Sequence, residues 1–174
     1  MAFAGWPVEA IEFFERLEDD NTQAFWNEHK HVYEEAVKAP MVALLADLER
    51  RYGEGKVFRP YRDVRFSKDK TPYKTNIGIQ FRHAAGKDVH APGYYMHIAA
   101  DDVFLGVGMW RPDGPALAGI RQAIDESPDT WRKATGARAL ARRFEFQGES
   151  LKRPPKGYGA DHPLLDDLKR KDFI

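Results

Sequence analysis

The sequence predicts an α+β fold, with an antiparallel sheet built from hairpins and flanked by N-terminal and C-terminal helices. Three observations carry this reading. Apolar residues recur at helical spacing up to Gly53, switch to strand alternation between Val57 and Trp110, and return to helical spacing after Pro115. Helices and strands in separate runs point to that class.

The first run reads as three helices. Pro7 suits a first helical turn, where its missing N–H has no partner to lose, and Ile11, Phe14 and Leu17 then share one face. Asp20 followed by Gln23 reads as the cap of a second helix, with Trp26, Tyr33 and Val37 on its buried stripe. Pro40 is expected to interrupt or restart it. Met41, Leu44, Leu45 and Leu48 then line a third helix, which Gly53 stops.

In the middle run, Val64 and Phe66 are read as strand residues facing the core. Ile77, Ile79 and Phe81 alternate with Gly78 and Gln80, as in a half-buried strand. GYYMHIAADDVFLGVGMW (93–110) reads as a hairpin turning at Asp101-Asp102, with Tyr94, Met96 and Ile98 on one face. Gly106 and Gly108 lack the third glycine and helix of a dinucleotide fingerprint; in a strand they mark a bulge or a close approach. Beyond Pro115, Leu117, Ile120 and Ile124 mark a helix, and a further one is expected from about Asp129 to Leu140. Phe144-Glu145-Phe146 reads as a last short strand, and a loop from Gly148 to Pro163 leads into a terminal helix with Leu164, Leu165 and Leu168.

At 174 residues the chain fits one domain, and its 43% hydrophobic content is that of a folded globule. No window approaches the eighteen or so uncharged apolar residues of a bilayer span, and MAFAGWPVEA lacks the basic and apolar regions of a signal peptide. A cytoplasmic chain with no membrane partner is expected. The absence of cysteine removes disulfides, thiolate nucleophiles and cysteine-held metal centres together.

Net charge is zero, which argues against a nucleic-acid binder held by long-range attraction, but the charge is segregated. Residues 1–50 hold four Lys or Arg against eleven Asp or Glu, whereas residues 56–74 hold seven Lys or Arg against two Asp.

Four strings, RDVRFSKDKTPYKTN (62–76), FLGVGMWRP (104–112), LKRPPKGYGADHPLLDDLKRKDF (151–173) and FFERLEDDNTQAFWNEHKHVYEEAV (13–37), are distributed along nearly the whole chain. They resemble the family catalogued as domain of unknown function 2461. Small departures from its pattern fall at Asp20-Asn21 and Phe25-Trp26. The resemblance supports the fold and implies no reaction, substrate or catalytic residue.

The chemistry must come from the residues. Arg62, Arg65, Ser67, Lys68, Lys70, Tyr73 and Lys74 gather cations, hydroxyls and a phenol in one segment, the groups that a phosphate or carboxylate needs. A crowded lysine or Tyr73 there is a possible general base. The alternative is that Asp63 and Asp69 pair with these cations in an internal network. A second loop offers Lys152, Arg153, Lys156, Tyr158 and His162; its alternative is that Tyr158 and His162 only tie it down. His83, His90 and His97 have no recognised ligand spacing, so no metal site is expected, and no cofactor motif is present. The functional expectation is therefore binding of a small anionic ligand, with no catalytic residue assigned. A nucleic-acid or phosphorylated-partner module and a self-association domain are the alternatives, and the oligomeric state stays open.

Overall fold

The computed structural model describes residues 2–82 and 91–174. It is an α+β structure with a four-stranded antiparallel sheet, as the alternation implied. The chain divides into two compact units. One comprises the chain to the end of the second strand together with Gly93–Gly106; the other comprises Val107–Ile174.

In the first unit, helix α1 spans Val8–Asp19 and buries Phe13, Phe14 and Leu17. Helix α2, Gln23–Val32, is capped by Thr22, whose hydroxyl accepts from the Phe25 N–H at 3.2 Å. The expected Asp20 cap is corrected: Asp20 ends α1, and Thr22, extended and directly before the helix, is the residue whose hydroxyl reaches the Phe25 N–H. Pro40 does not interrupt the chain's helical path. A π-helical turn, Tyr33–Lys38, joins α2 to α3, Ala39–Tyr52. There the Ala39 N–H bonds Glu34 O, one residue further back than usual. This wider turn, placed just ahead of Pro40, absorbs the missing donor. Gly53 ends α3 at φ 82°, a left-handed geometry that glycine adopts without strain.

The strands are β1 (Gly55–Val57), β2 (Asn76–Arg82), β3 (Gly93–Ala99) and β4 (Val103–Gly108), in that order across the sheet. β2 and β3 pair with Ile77 opposite Ile98 and Ile79 opposite Met96. Paired residues share a face, so Ile77, Ile79, Phe81 and Ile98 join the aromatic core of Phe13, Phe14, Phe25, Trp26 and Tyr33. The other face carries Asn76, Gly78 and Gln80 from β2 and Tyr95 and His97 from β3.

The second unit has its own core of Ile124, Leu164, Leu168 and Phe173, with Leu117, Ile120, Trp131 and Tyr158 against it. Helix α4 spans Gly114–Glu126, with Asp113 accepting from the Ala116 N–H as cap. The single helix expected to Leu140 is two: α5, Pro128–Thr135, ends at Gly136, and one turn, α6, follows at Arg138–Ala141. Phe144–Phe146 forms no strand. Phe146 instead stacks on Trp131, with the Arg170 guanidinium 4.3 Å from its ring centre. Ladder bonds begin just beyond, where Leu151 N–H meets Lys169 O and Lys171 N–H meets Glu149 O, both at 2.8 Å. The terminal helix α7 is a single turn, Leu165–Leu168.

Candidate functional site

Between β1 and β2 the chain makes an excursion closed at its neck. Arg62 N–H bonds Pro72 O at 2.9 Å and Lys74 N–H bonds Pro60 O at 2.7 Å, setting Tyr61 opposite Tyr73. Asn21 clamps the neck like a short strand: its side-chain amide donates to Tyr73 O at 3.0 Å and accepts from Tyr73 N–H at 3.1 Å. Behind this clamp the Tyr73 ring lies flat on Trp26, centroids 4.3 Å apart and planes 9° apart.

Most cations of the excursion are occupied by their neighbours. Arg62 donates to Asp69 and Thr71. Arg65 grips Asp63 with two bonds, of 2.9 and 2.6 Å, and Lys70 donates to Val64 O at 2.9 Å. The Ser67 N–H bonds Val64 O at 3.3 Å, and exposed Lys68 makes no hydrogen bond or ion pair among the described residues. The Arg65 side chain holds the Asp63 carboxyl down to about 2. The Thr71 backbone and hydroxyl, then Arg62, do the same for Asp69, also to about 2.

Two expectations here are corrected. Residues 62–67 are not a strand, and Phe66, read as a core residue, is 95% exposed, because the Asp63 and Asp69 turns bend the backbone away from the sheet. Tyr73 is a core residue, 4% exposed. Burial, then nearby Tyr61, raises its pKa, the reverse of what a base at neutral pH requires.

The second loop lies in the other unit. Lys152, Arg153 and Lys156 are exposed along it. His162 accepts at Nδ1 from Leu164 N–H at 3.0 Å, which leaves the proton on Nε2, 3.0 Å from Asp125 Oδ1. Its ring also meets Tyr158 edge-on, so both residues tie the loop down. A nearby anchor that sequence reasoning missed is Asp172, 3% exposed, whose carboxylate accepts from Arg111 N–H at 2.8 Å and Glu149 N–H at 2.9 Å. No local sequence signal sets this aspartate apart from the other acids.

A different cluster forms on the outer sheet face of the first unit. The half-buried Lys74 ammonium lies 5.2 Å from the centre of the Phe58 ring. Phe58 neighbours Tyr95, and the Tyr95 hydroxyl is 3.1 Å from His97 Nδ1. Asn76 Nδ2 lies 2.9 Å from that same nitrogen and 3.4 Å from Nε2. Phe104 stacks on His97 at 4.7 Å. Gly78 makes room for this arrangement, since a β-carbon there would come within 2.7 Å of the Tyr95 hydroxyl. Burial lowers the Lys74 and His97 pKa values, Lys74 with help from Arg59, and raises that of Tyr95. Among the described residues neither Lys74 nor Arg59 forms an ion pair. Sequence reasoning placed Lys74 in a site but missed Arg59, Asn76, Tyr95 and Phe104. Their signal was the outward half of the β2 and β3 alternation.

His97 is thus a hydrogen-bonded sheet residue, while His83 and His90 lie outside the described residues. Among the described residues no three acidic or imidazole side chains gather as a metal site.

The chain belongs to the family described as conserved hypothetical protein (DUF2461), whose model matches residues 9–174. No curated protein matches it significantly. No solved structure does so either.

Proposed function

We propose that the protein binds a small phosphate- or carboxylate-bearing ligand on the outer face of its sheet, at Lys74, Asn76, Tyr95 and His97. One observation carries this: the half-buried Lys74 ammonium lies close enough to Arg59 to feel its charge, and among the described residues Lys74 has no ion-pair partner. The other cations of residues 62–70 bond mostly to neighbouring carboxylates, hydroxyls or carbonyls, so the positive potential left over concentrates at Lys74. An anion there meets the Lys74 ammonium beside the Phe58 and Tyr95 rings, which lower the local dielectric and strengthen the contact. Lys68 and Lys70, at the far end of the excursion, are peripheral to this reading.

The test is a thermal-shift panel of inorganic phosphate, phosphorylated metabolites and small carboxylates, on the wild type, Lys74→Met and Lys68→Ala/Lys70→Ala. Methionine keeps the apolar stem over Phe58 and removes the charge. A ligand at a hundred times its dissociation constant adds about 2.7 kcal/mol, a shift of several degrees for a chain of this size. The expected result is a shift in the wild type and the double variant that Lys74→Met loses. A shift lost in the double variant and kept in Lys74→Met would move the site to the loop, and no shift with any anion would end the proposal.

A further inference from the structure

The second unit carries a run of positive charge that its own fold leaves uncompensated. Between Trp131 and Phe144 stand Arg132, Lys133, Arg138, Arg142 and Arg143, with no acid among them. Arg132 reaches back to Asp129 at 3.3 Å. The other four side chains are exposed and make no hydrogen bond or ion pair among the described residues. In this they differ from the excursion of the first unit, where most cations bond to their neighbours. Arg138 opens the single turn of α6 and Arg142 closes it, its N–H bonding Arg138 O at 3.3 Å. Like charges four residues apart share one face of a helical turn and weaken it. No ion pair among the described residues offsets that repulsion, and an anionic partner does so directly.

Next to the arginines an aromatic ring stands in solvent. Phe144 is 40% exposed and has no ring or cation against it among the described residues. It is nevertheless fixed in place. Phe144 N–H bonds Leu140 O at 2.9 Å, Phe146 stacks on Trp131 with the Arg170 guanidinium against its ring, and Gln147 N–H bonds Ile174 O at 2.9 Å. Folding therefore orders Phe144 without burying it, and leaves a flat π-face beside free guanidinium groups.

We infer that Arg138, Arg142, Arg143 and Phe144 form a docking surface for single-stranded nucleic acid, with the arginines on its phosphates and Phe144 stacked on a base. The charge is complementary, and guanidinium forks grip phosphate oxygens in pairs. The exposed ring supplies the sequence-tolerant stacking that such surfaces use, and an unpaired strand offers the base faces that a duplex keeps stacked on one another. A lipid surface fits less well, because adsorption to a membrane needs an apolar helix face to insert. Leu140 is the one residue of 136–150 that is not exposed, so α6 gives its large apolar side chain to the fold and presents arginine and alanine outward. With zero net charge on the chain the attraction is local, and it is screened by salt. This surface lies in the second unit and is independent of the Lys74 reading.

Fluorescence anisotropy of the full chain with labelled oligouridine and oligothymidine strands tests it, on the wild type, Arg142→Gln/Arg143→Gln, Phe144→Ala and Lys68→Ala/Lys70→Ala. The substituted side chains of the surface are exposed and unpartnered, so thermal midpoints should stay where they are. The expected wild-type affinity falls about tenfold or more between about 50 and 200 mM salt, the slope of roughly three phosphate contacts. Arg142→Gln/Arg143→Gln should lose most of the binding and flatten that slope. Phe144→Ala should weaken binding about fivefold or more, the least that one stacked base contributes, and Lys68→Ala/Lys70→Ala should bind like the wild type. No binding at the lowest salt, or binding that either surface variant leaves unchanged, overturns the inference. Binding lost in Lys68→Ala/Lys70→Ala and kept in Arg142→Gln/Arg143→Gln moves the strand to the excursion and equally overturns it. So does adsorption to phosphatidylserine vesicles without binding to either strand.

Discussion

Single residues divide into those whose role is visible locally and those that act across the chain. Tyr73 and Lys74 are adjacent, yet one stacks on Trp26 in the core and the other borders the outer face, because neighbouring residues of an extended chain project oppositely. That alternation is legible in a string of letters. The part played by Asn21 is not: its amide pairs with the backbone of a residue 52 positions away. Asn21→Ala leaves a part-buried N–H and C=O of Tyr73 unpaired, and should cost about 1–3 kcal/mol in urea-denaturation stability. Asn21→Asp should cost nearly as much, since a carboxylate can accept from Tyr73 N–H but cannot donate to its carbonyl. A loss equal to that of an exposed substitution would show that the clamp contributes nothing.

At the scale of elements, periodicity located every long helix and strand, and errors fell where local chemistry competes. Thr22 displaced Asp20 as a cap, the π turn carried the helix through Pro40, and two turn-forming aspartates bent residues 62–67 out of any strand. The glycines of FLGVGMW read as a close approach, and at Gly108 the contact is with the C-terminal segment. At φ 137° a β-carbon there would lie 1.8 Å from Phe173 O, beside the paired bonds between Met109 and Phe173. Gly108→Ala should therefore destabilise the protein by at least about 2 kcal/mol, through backbone strain and loss of that pairing. Hydrogen exchange at Met109 and Phe173 should rise in the same variant. Unchanged protection at both amides would mean that the segment does not depend on this approach.

For the whole molecule, zero net charge conceals groups that titrate in two ranges. Asp63 and Asp69 are held at about 2 when folded, below their ordinary 3.8, so the stability they add is complete above about pH 4 and is lost as the pH falls toward 2. His97 behaves differently. Burial lowers its pKa below 6.5, so the unfolded chain takes up the proton first and stability declines as the pH falls through that value. The urea midpoint of Asp63→Asn/Asp69→Asn should lie below that of the wild type at pH 6, and the gap should close near pH 2. The same gap at both pH values would mean that these pairs do not respond to protonation.

By itself the sequence determined the α+β class, the long helices and central strands with their buried faces, and the position of the basic segment. Each of these follows from side-chain spacing along a regular backbone, a short-range property written in neighbouring letters. Only the tertiary structure decided which cations bond to their own neighbours and which do not, and that Tyr73 is core. It also decided that Asn76, Tyr95 and His97 share one sheet face with Lys74 beside Phe58. Those outcomes depend on strand pairing and on contacts between residues twenty to sixty positions apart, where the chain's path sets the partner.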